Sequence, residues 1–410
     1  MNPYLVFVCS VILVGYLLDL GVSFLNLRAL DPRLPEEFAG VFDDQGYARS
    51  QEYTRTTARF AMIQETIITA LTLIFILSGG FNWVDRLARG FGLGSIATGL
   101  VFTAMLLIIS GLAGLPFSVY ATFVIENRFG FNKTTVFTYV MDRVKGLILT
   151  ALIGSPVLAL ILWFFEKGGS SAWIYCWTGI VCVMLFLQWI APAVIMPWFN
   201  RFTPIEEGEL KSAILTYATT ERFKIKGIYT MDGSRRSTKL NAFFTGFGKF
   251  RRIVFFFFLL EHLTTEEIIA VLAHEMGHYK KRHIFKMLTV SILQMGTVFL
   301  ILSFFINNPG LFAAFKMDHL SIYASLIFFG FLYSPISTLL SIGINMFSRR
   351  HEYQADRYAR SSTGKPENLI SALKKLSKSN LSNLTPHPLH VFMNYSHPPV
   401  LMRIRALRQG

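Results

Sequence analysis

Cysteine is scarce in this sequence, which contains three in 410 residues: Cys9, Cys176 and Cys182. No Cys-x-x-Cys pair occurs. The sequence therefore supports neither a disulfide framework nor a zinc site built from thiolates. Each cysteine falls in a long apolar run, where a free thiol is expected to pack as a small hydrophobic side chain.

Acidic residues are also few, with 25 Asp and Glu against 39 Lys and Arg, which gives a formal net charge of +14. No basic run with interleaved aromatic residues stands alone as a domain, so the positive charge does not indicate a nucleic-acid partner. Only 16% of the residues are charged, whereas 52% are hydrophobic. A soluble domain has a smaller apolar share that is spread more evenly.

The apolar residues are gathered into seven runs, each of which meets the ~20 residues needed to cross a bilayer. The first run lacks a basic start and a clear cleavage site, so we expect it to be retained rather than removed as a signal peptide. We predict an α-helical polytopic membrane protein. Its seven spans lie at about 4–23, 60–79, 96–119, 146–165, 173–196, 284–306 and 321–347.

Basic residues divide unequally between the two sides of this predicted membrane protein. Only four of the 39 fall on the side of the N-terminus: Arg86, Arg89, Lys167 and Lys316. The positive-inside rule then places the N-terminus outside and the segments 197–283 and 348–410 in the cytoplasm. This topology, with anionic lipid headgroups as partners, accounts for the net charge.

The most informative motif is His274-Glu275-Met276-Gly277-His278, a His-Glu-x-x-His pentad inside a helical pattern. Two histidines four residues apart project from the same helix face. Both can therefore reach one Zn²⁺ at roughly 2.0–2.1 Å. Glu275 is placed to take a proton from the attacking water as general base. The alternative is an ordinary amphipathic helix that carries two histidines, so the surroundings have to decide.

The pentad ends a segment, 197–283, that has the pattern of a small mixed domain. Thr264 and Glu267 have capping-box spacing, which predicts a motif helix over about 265–283 that leads directly into the sixth span. The metal is then expected at the membrane surface, which implies a hydrophobic or membrane-bound substrate. Before this helix, residues 206–221 are predicted to be helical, and 226–231 and 241–258 to be strands with a hairpin turn at 246–249.

A third protein ligand has to come from elsewhere in the chain. A metzincin has its third histidine six residues beyond the pentad, but that position is Ile284. Glu352 and Asp356 follow the seventh span, and the hairpin of spans 6 and 7 returns them to the neighbourhood of His278. One carboxylate can bind zinc while the other orients a ligand imidazole. The alternative is a solvated acidic face paired with neighbouring arginines.

These features together resemble the membrane-integral CAAX prenyl protease 1 family, the type I zinc enzymes that cut after a prenylated cysteine. The resemblance extends over nearly the whole chain and includes two more motifs. Asn241-Ala242-Phe243-Phe244 is similar to a strand of the family. Ser396-His397-Pro398-Pro399, followed by Arg403, is similar to its C-terminal motif.

The resemblance implies a role for each matching residue. His274, His278 and Glu352 would bind one Zn²⁺ per chain, and Asp356 would orient a ligand. Glu275 would be the general base and would later pass its proton to the leaving amine.

The remaining motifs are implied to handle the substrate. His397 and Arg403 would stabilise the oxyanion, and the strand with Asn241 and Ala242 would pair with the substrate backbone. The implied fold is a set of seven helices that enclose an intramembrane chamber, with a small α+β zincin-like catalytic domain. The corresponding divisions are 1–196, 197–283, 284–347 and 348–410.

Several histidines have no matching spacing and are assigned no role: His262, His283, His319, His351, His387 and His390. The chain has no ER-retrieval tail, which favours a bacterial member in an inner membrane over one in the endoplasmic reticulum. Because bacteria are not expected to prenylate CaaX proteins, a broad-specificity quality-control protease for membrane proteins is the alternative function.

A third hypothesis is a transporter or a scaffold that contains zinc. It rests on Asp19 and Glu65, which are intramembrane carboxylates and hence candidate functional residues. Against it, three protein ligands leave an open coordination position, whereas a structural zinc site is usually closed. No inverted repeat with paired broken helices is found either.

Overall fold

The computed structural model describes residues 2–225, 227–232, 235–240, 242–245 and 252–409. Within these residues, seven helical stretches are long and apolar enough to cross a membrane, which confirms the predicted number. We number them spans 1 to 7 in chain order. Each covers its predicted apolar run or most of it: Pro3–Arg28, Asp44–Leu77, Ser95–Glu126, Val136–Lys167, Gly169–Phe199, His283–Ser303 and Ile322–Thr363.

Spans 3, 4 and 5 each contain a short π-helical segment: Ala121–Glu126, Thr150–Gly154 and Ala191–Ile195. Pro192 lies in the last, and Pro156 lies two residues after the second. A proline lacks the N–H that an α-turn needs, and a wider turn accommodates the gap.

The first eight helices of the chain are α1 (Pro3–Arg28), α2 (Asp44–Leu77), α3 (Gly80–Arg89), α4 (Ser95–Tyr120), α5 (Val136–Leu149), α6 (Ser155–Lys167), α7 (Ala172–Ile190) and α8 (Met196–Phe199).

Between spans 5 and 6 the chain forms a four-stranded sheet with the order β1-β2-β4-β3. Strand β2 pairs with β1 antiparallel and with β4 parallel, whereas β3 pairs with β4 antiparallel. Strand β3 is therefore an edge strand of the described sheet. The strands are β1 (Phe202–Pro204), β2 (Gly227–Met231), β3 (Ala242–Thr245) and β4 (Arg252–Phe256).

The predicted strand 226–231 is confirmed as β2, and the predicted hairpin over 241–258 is confirmed as the pair β3 and β4. Its turn at 246–249 and Asn241 lie outside the described residues. The strand prediction was wrong at its end, because Phe257 and Phe258 begin a helix. Ile253 and Val254, neighbours on opposite faces of β4, are both buried, as expected for a strand covered on both sides.

Three helices complete this segment: α9 (Glu209–Thr220), α10 (Phe257–His262) and α11 (Thr265–Lys280). The predicted capping box at the start of α11 is present, with hydrogen bonds in both directions between Thr264 and Glu267. The predicted continuation of α11 to residue 283 was wrong. Arg282 has a left-handed backbone (φ 57°), which ends the helix and redirects the chain before span 6.

Spans 6 and 7 are α12 (His283–Ser303) and α14 (Ile322–Thr363), with α13 (Pro309–Ala314) between them. Helix α14 continues well beyond the apolar run and carries Glu352 and Asp356 on its polar end. The chain then folds back over the segment 197–283, which carries the pentad and is called the catalytic segment below. Its last helices are α15 (Pro366–Ser379), α16 (Pro388–Asn394) and α17 (Val400–Gln409).

Each span contacts the next one along the chain, and span 7 also contacts span 1, so the seven spans form a ring. At one end of the ring, an apolar core joins α3 and α13 to the spans through residues such as Phe81, Phe312 and Phe328. At the other end, a second core joins the sheet, α11, α15 and α17. The ring therefore has an apolar plug at one end and the catalytic segment at the other.

Candidate metal centre and active site

The two histidines of the pentad face the same point because α11 is a regular helix from Thr265 to Lys280. The Nε2 atoms of His274 and His278 are 3.2 Å apart. Glu352 reaches this point from α14, with Oε2 at 3.5 Å from His274 Nε2 and Oε1 at 3.3 Å from His278 Nε2. Among the described residues, this is the group of three side chains that could hold a metal ion.

These separations match a tetrahedral metal site. Two atoms bound to one zinc ion at roughly 2.0–2.1 Å in tetrahedral geometry lie about 3.4 Å apart. The observed distances surround that value: 3.2 Å between the two histidine nitrogens, and 3.5 and 3.3 Å from these nitrogens to the Glu352 oxygens. No thiolate is present in the group, and a set of two imidazoles and one carboxylate suits zinc.

Glu352 also has an oxygen that accepts no hydrogen bond from the described residues. Its side chain is buried, yet among the described residues Oε2 has no hydrogen bond. A buried carboxylate oxygen without a hydrogen bond costs free energy. A metal ion between Oε2 and the histidine nitrogens would satisfy it, so the residues present fit zinc.

Asp356 lies behind His274, with Oδ1 at 2.8 Å from His274 Nδ1. Arg403 of α17 holds this carboxylate from the other side through Nε and Nη2, at 2.8 and 2.6 Å. Burial lowers the pKa of Arg403, but Asp356 and Glu352 raise it more strongly, so the net shift is upward and the guanidinium stays charged. The remaining nitrogen, Nη1, lies 3.5 Å from Glu352 Oε2.

Gly277 allows α11 and α14 to approach closely enough for the two histidines and Glu352 to meet. A Cβ atom at this position would lie 2.9 Å from the Cα of Ala355 and 3.1 Å from its carbonyl oxygen. Real Cβ atoms essentially never approach another atom to less than 3.0 Å. The glycine of the pentad is therefore required by helix packing.

A cavity of about 1480 Å³ connects this group to the membrane spans. Glu275, His397 and Arg403 line it together with the three candidate ligands. His397 Nε2 lies 3.4 Å from Glu352 Oε1, and its side chain is exposed to the cavity. The apolar wall comes from spans 5 and 6 and includes Met184, Pro192, Met287 and Leu288.

The sequence-predicted substrate strand begins beside the same cavity. Asn380 holds both backbone groups of Leu240: its Oδ1 accepts from the Leu240 N–H at 2.9 Å, and its Nδ2 donates to the Leu240 carbonyl at 3.2 Å. Both residues line the cavity. Ala242 follows in β3, opposite Phe255 of β4, so that the outer edge of β3 has no strand beside it in the described sheet.

Comparison with known proteins agrees with this geometry. Residues 23–201 match the family model described as CAAX prenyl protease N-terminal, five membrane helices, and residues 204–410 match Peptidase family M48. The chain belongs to the CAAX prenyl protease 1 family. It is therefore an integral, multi-pass membrane metalloendopeptidase, and the family implies a metal ion.

Curated relatives match over almost the full length. The chain is 34% identical to a CAAX prenyl protease 1 homolog of Arabidopsis thaliana, over 99% of this chain and 97% of that protein. It is 33% identical to the homolog of Homo sapiens, over 92% and 88%. The crystal structure of S. mikatae Ste24p superposes with a TM-score of 0.94 at 32% identity and covers 99% of both chains. These relatives are eukaryotic, so they give no support to the expected bacterial source.

The structure also brings together residues to which the sequence analysis assigned no role. His283 and His351 are both buried in the cavity wall beside His278. On a continuous helix, a residue five positions after His278 points away from it. The left-handed Arg282 alters this direction, and a local sequence pattern gives no reliable signal for such a turn.

Proposed function

We propose that this protein is a zinc-dependent endopeptidase that cleaves prenylated CaaX-type proteins at the end of an intramembrane cavity. One observation carries the proposal: three candidate ligands with tetrahedral spacing line a large cavity that has an apolar wall. The curated relatives are named CAAX prenyl protease 1, which supports this substrate class.

One Zn²⁺ per chain would be held by His274, His278 and Glu352, with Asp356 fixing the orientation of His274 through its Nδ1–H. When bound, zinc supplies Lewis acidity, which favours deprotonation of water and polarises the scissile carbonyl. Three protein ligands leave a coordination position open, as in catalytic rather than structural zinc sites.

The chain's own residues would handle the protons and the developing charge. Glu275 follows the first ligand in the helix and lines the cavity, so it can take a proton from the attacking water and later deliver it to the leaving amine. His397 Nε2 and Arg403 Nη1 face the same space and can donate to the oxyanion. Arg403 does so while its other two nitrogens hold Asp356.

The substrate would be bound in two ways. Its backbone can add to the edge of β3 near Asn241 and Ala242, which sets the register without reading much sequence. Its isoprenoid chain is purely apolar and suits the wall formed by Met184, Met287 and Leu288. Cleavage would then separate the prenylated cysteine from the residues that follow it.

The sidedness and the division of the chain are part of the same proposal. The few basic residues of one side include Arg86 and Lys316, which lie at the end with the apolar plug, where Arg86 pairs with Asp318. The catalytic segment lies at the opposite end and is proposed to face the cytoplasm. The proposed divisions are 1–196, 197–283, 284–347 and 348–410.

The test is to incubate the purified protein with a farnesylated CaaX peptide, with and without a chelator, and to determine product masses. We expect one cut at a fixed position relative to the lipidated cysteine, abolished by the chelator. Scattered cuts in unlipidated hydrophobic peptides would instead support a quality-control protease. If the protein contains no zinc and shows no cleavage that a chelator abolishes, the proposal is contradicted and the transporter or scaffold hypothesis is favoured.

The matched variant is Glu275→Gln, which removes the proton acceptor but keeps the size and hydrogen-bonding shape of the side chain. We expect cleavage to fall by about 10²–10⁴-fold, while zinc measured by elemental analysis stays at one per chain. Wild-type cleavage by Glu275→Gln would show that Glu275 is not the general base.

A further inference from the structure

The second pentad histidine has a neighbour on the side away from the metal position. His283 Nδ1 lies 3.1 Å from His278 Nδ1. His283 Nε2 lies 2.9 Å from Gln354 Oε1 of α14. Three side chains are therefore linked in a row, from Gln354 through His283 to His278.

We propose that His283 and Gln354 are positioning residues that fix the tautomer and the ring orientation of His278 for zinc binding. This inference rests on the proposed zinc site. It concerns two residues that lie outside the ligand set and the pentad.

The direction of the hydrogen bonds follows from the chemistry of a neutral imidazole, which carries one N–H and one lone pair. His278 offers Nε2 to the metal position, so its proton has to be on Nδ1. That proton is donated to His283 Nδ1, since a 3.1 Å contact between two Nδ1 atoms needs one donor and one acceptor. The proton of His283 is then on Nε2, and Gln354 Oε1 accepts it.

The reverse direction is incompatible with metal binding. If His283 donated to His278, the proton of neutral His278 would have to lie on Nε2. This atom faces His274 Nε2 at 3.2 Å and Glu352 Oε1 at 3.3 Å. A proton there would occupy the metal position. Gln354 Oε1, at the far end of the row, can only accept a hydrogen bond. It therefore favours the His278 tautomer that carries its proton on Nδ1 and leaves Nε2 free to bind zinc.

The surroundings hold the middle ring in place. The His283 ring stacks on His351 with centroids 3.9 Å apart and planes 9° from parallel. The His283 and His351 residues are 3% and 4% exposed, so bulk water does not easily replace these contacts. The left-handed turn at Arg282 directs His283 back to His278.

The arrangement also connects two ligands that are distant in sequence. Gln354 lies two residues after Glu352 on α14, whereas His278 is on α11. The carboxylate of Asp356 orients His274, whereas the neutral imidazole of His283 and the amide of Gln354 orient His278. The two zinc-binding histidines are thus positioned by groups of different charge, which limits the negative charge behind the metal.

The experiment measures zinc affinity of the purified full-length protein by competition with a chelating dye. His283→Phe keeps an aromatic ring for stacking but has no acceptor, and Gln354→Met keeps the length of the side chain but has no amide. We expect both to bind zinc about 10–100-fold more weakly, as is typical when a partner of a metal ligand is lost. Gln354→Glu keeps an acceptor, and His351→Phe keeps the stack, so both should lose much less zinc affinity than His283→Phe and Gln354→Met.

The outcomes separate this inference from the proposed function. Wild-type zinc affinity in both His283→Phe and Gln354→Met would overturn it, as would equal losses in His351→Phe and His283→Phe, which indicate packing alone. If His283→Phe does not fold, Gln354→Met against Gln354→Glu decides. Failure of the zinc site itself would be seen differently, as wild-type protein without zinc or as His278→Ala with zinc retained.

Discussion

At the scale of residues, the site depends on which atoms of each side chain are occupied. Asp356 binds Arg403 through both oxygens and also accepts a hydrogen bond from His274 Nδ1. Glu352, only four residues earlier, keeps a buried oxygen free of hydrogen bonds among the described residues. From this difference we propose that Glu352 is a zinc ligand and that Asp356 orients one.

The Arg403–Asp356 pair can be tested with Arg403→Lys. Lysine keeps the charge but cannot form two parallel hydrogen bonds to one carboxylate. We expect zinc affinity and cleavage rate each to fall by about 10–100-fold. Arg405→Lys, at an exposed position of the same helix, is the control and should be unchanged. Equal behaviour of the two variants in chelator competition would contradict the positioning role of Arg403.

At the scale of elements, the site is the contact between α11 and α14. Helix α11 presents the two histidines, and α14 presents Glu352 and Asp356 after crossing the membrane as span 7. The start of α11 is also held from α15, because Glu267 accepts from Ser371 and Lys375 at 2.6 and 2.8 Å. Zinc binding and helix packing are therefore expected to change together.

Gly277→Ala should separate α11 from α14, because the new methyl group would lie 2.9 Å from the Cα of Ala355. We expect a loss of about 1–3 kcal/mol of stability and weaker zinc binding, measured by thermal unfolding and chelator competition. Gly343→Ala is the matched control. Gly343 lies in α14, the helix that carries Glu352, and a Cβ atom there would meet nothing within 4 Å. It should be neutral or stabilising. Unaltered zinc affinity in Gly277→Ala would contradict the packing argument.

Glu267 gives the start of α11 a pH-dependent stability. Burial raises the pKa of this carboxyl group, but hydrogen bonds from Lys375, Ser371 and the Thr264 backbone lower it, and the net shift is downward from 4.5. The folded protein therefore binds this proton less readily than the unfolded chain. The stabilising effect of the Glu267 carboxylate is present above pH 4.5 and is lost as the pH falls below that value towards the lowered pKa.

The corresponding measurement compares thermal unfolding of wild type and Glu267→Gln at pH 7 and at pH 4. At pH 7 the variant should be less stable by about 1–3 kcal/mol, since a buried charged hydrogen-bonding group is lost. The difference should shrink at the lower pH. Glu266→Gln changes an exposed neighbour and should have a smaller effect. A difference that stays constant between the two pH values would refute the assignment.

At the scale of the whole molecule, the ring of seven spans has two unlike ends. One end contains an apolar core with α3 and α13, where Tyr323 donates a hydrogen bond to buried Asp85. The other end holds the catalytic segment and the cavity. The candidate active site and its cavity therefore lie towards the end of the ring that is opposite α3 and α13.

The proposed sidedness predicts opposite labelling of the two ends. In a background without Cys9, Cys176 and Cys182, single cysteines are placed at exposed Phe91, near α3, and at exposed Glu207, before α9. An impermeant maleimide added to sealed membranes of known orientation should label Phe91→Cys from the extracytoplasmic side only. Glu207→Cys should react only from the cytoplasmic side. The reverse pattern would overturn the topology.

Several features could be predicted from the sequence because they depend on neighbouring residues. The lengths of the apolar runs indicated seven spans, and the spacing of His274 and His278 placed both on one helix face. Thr264 and Glu267 indicated where that helix begins. Each of these is set by the rise and period of a helix or by the thickness of a bilayer, and needs no knowledge of distant contacts.

Other features were decided only by the tertiary structure. From the residues alone, Glu352 and Asp356 were equivalent candidates, and the packing of α14 on Gly277 placed one at Nε2 and the other at Nδ1 of His274. The spacing of His283 in the sequence matches no partner and assigns it no role, whereas in the structure the left-handed turn at Arg282 directs it to His278. Contacts between segments far apart in the chain depend on packing, and a local pattern does not encode which of two similar side chains packing will select.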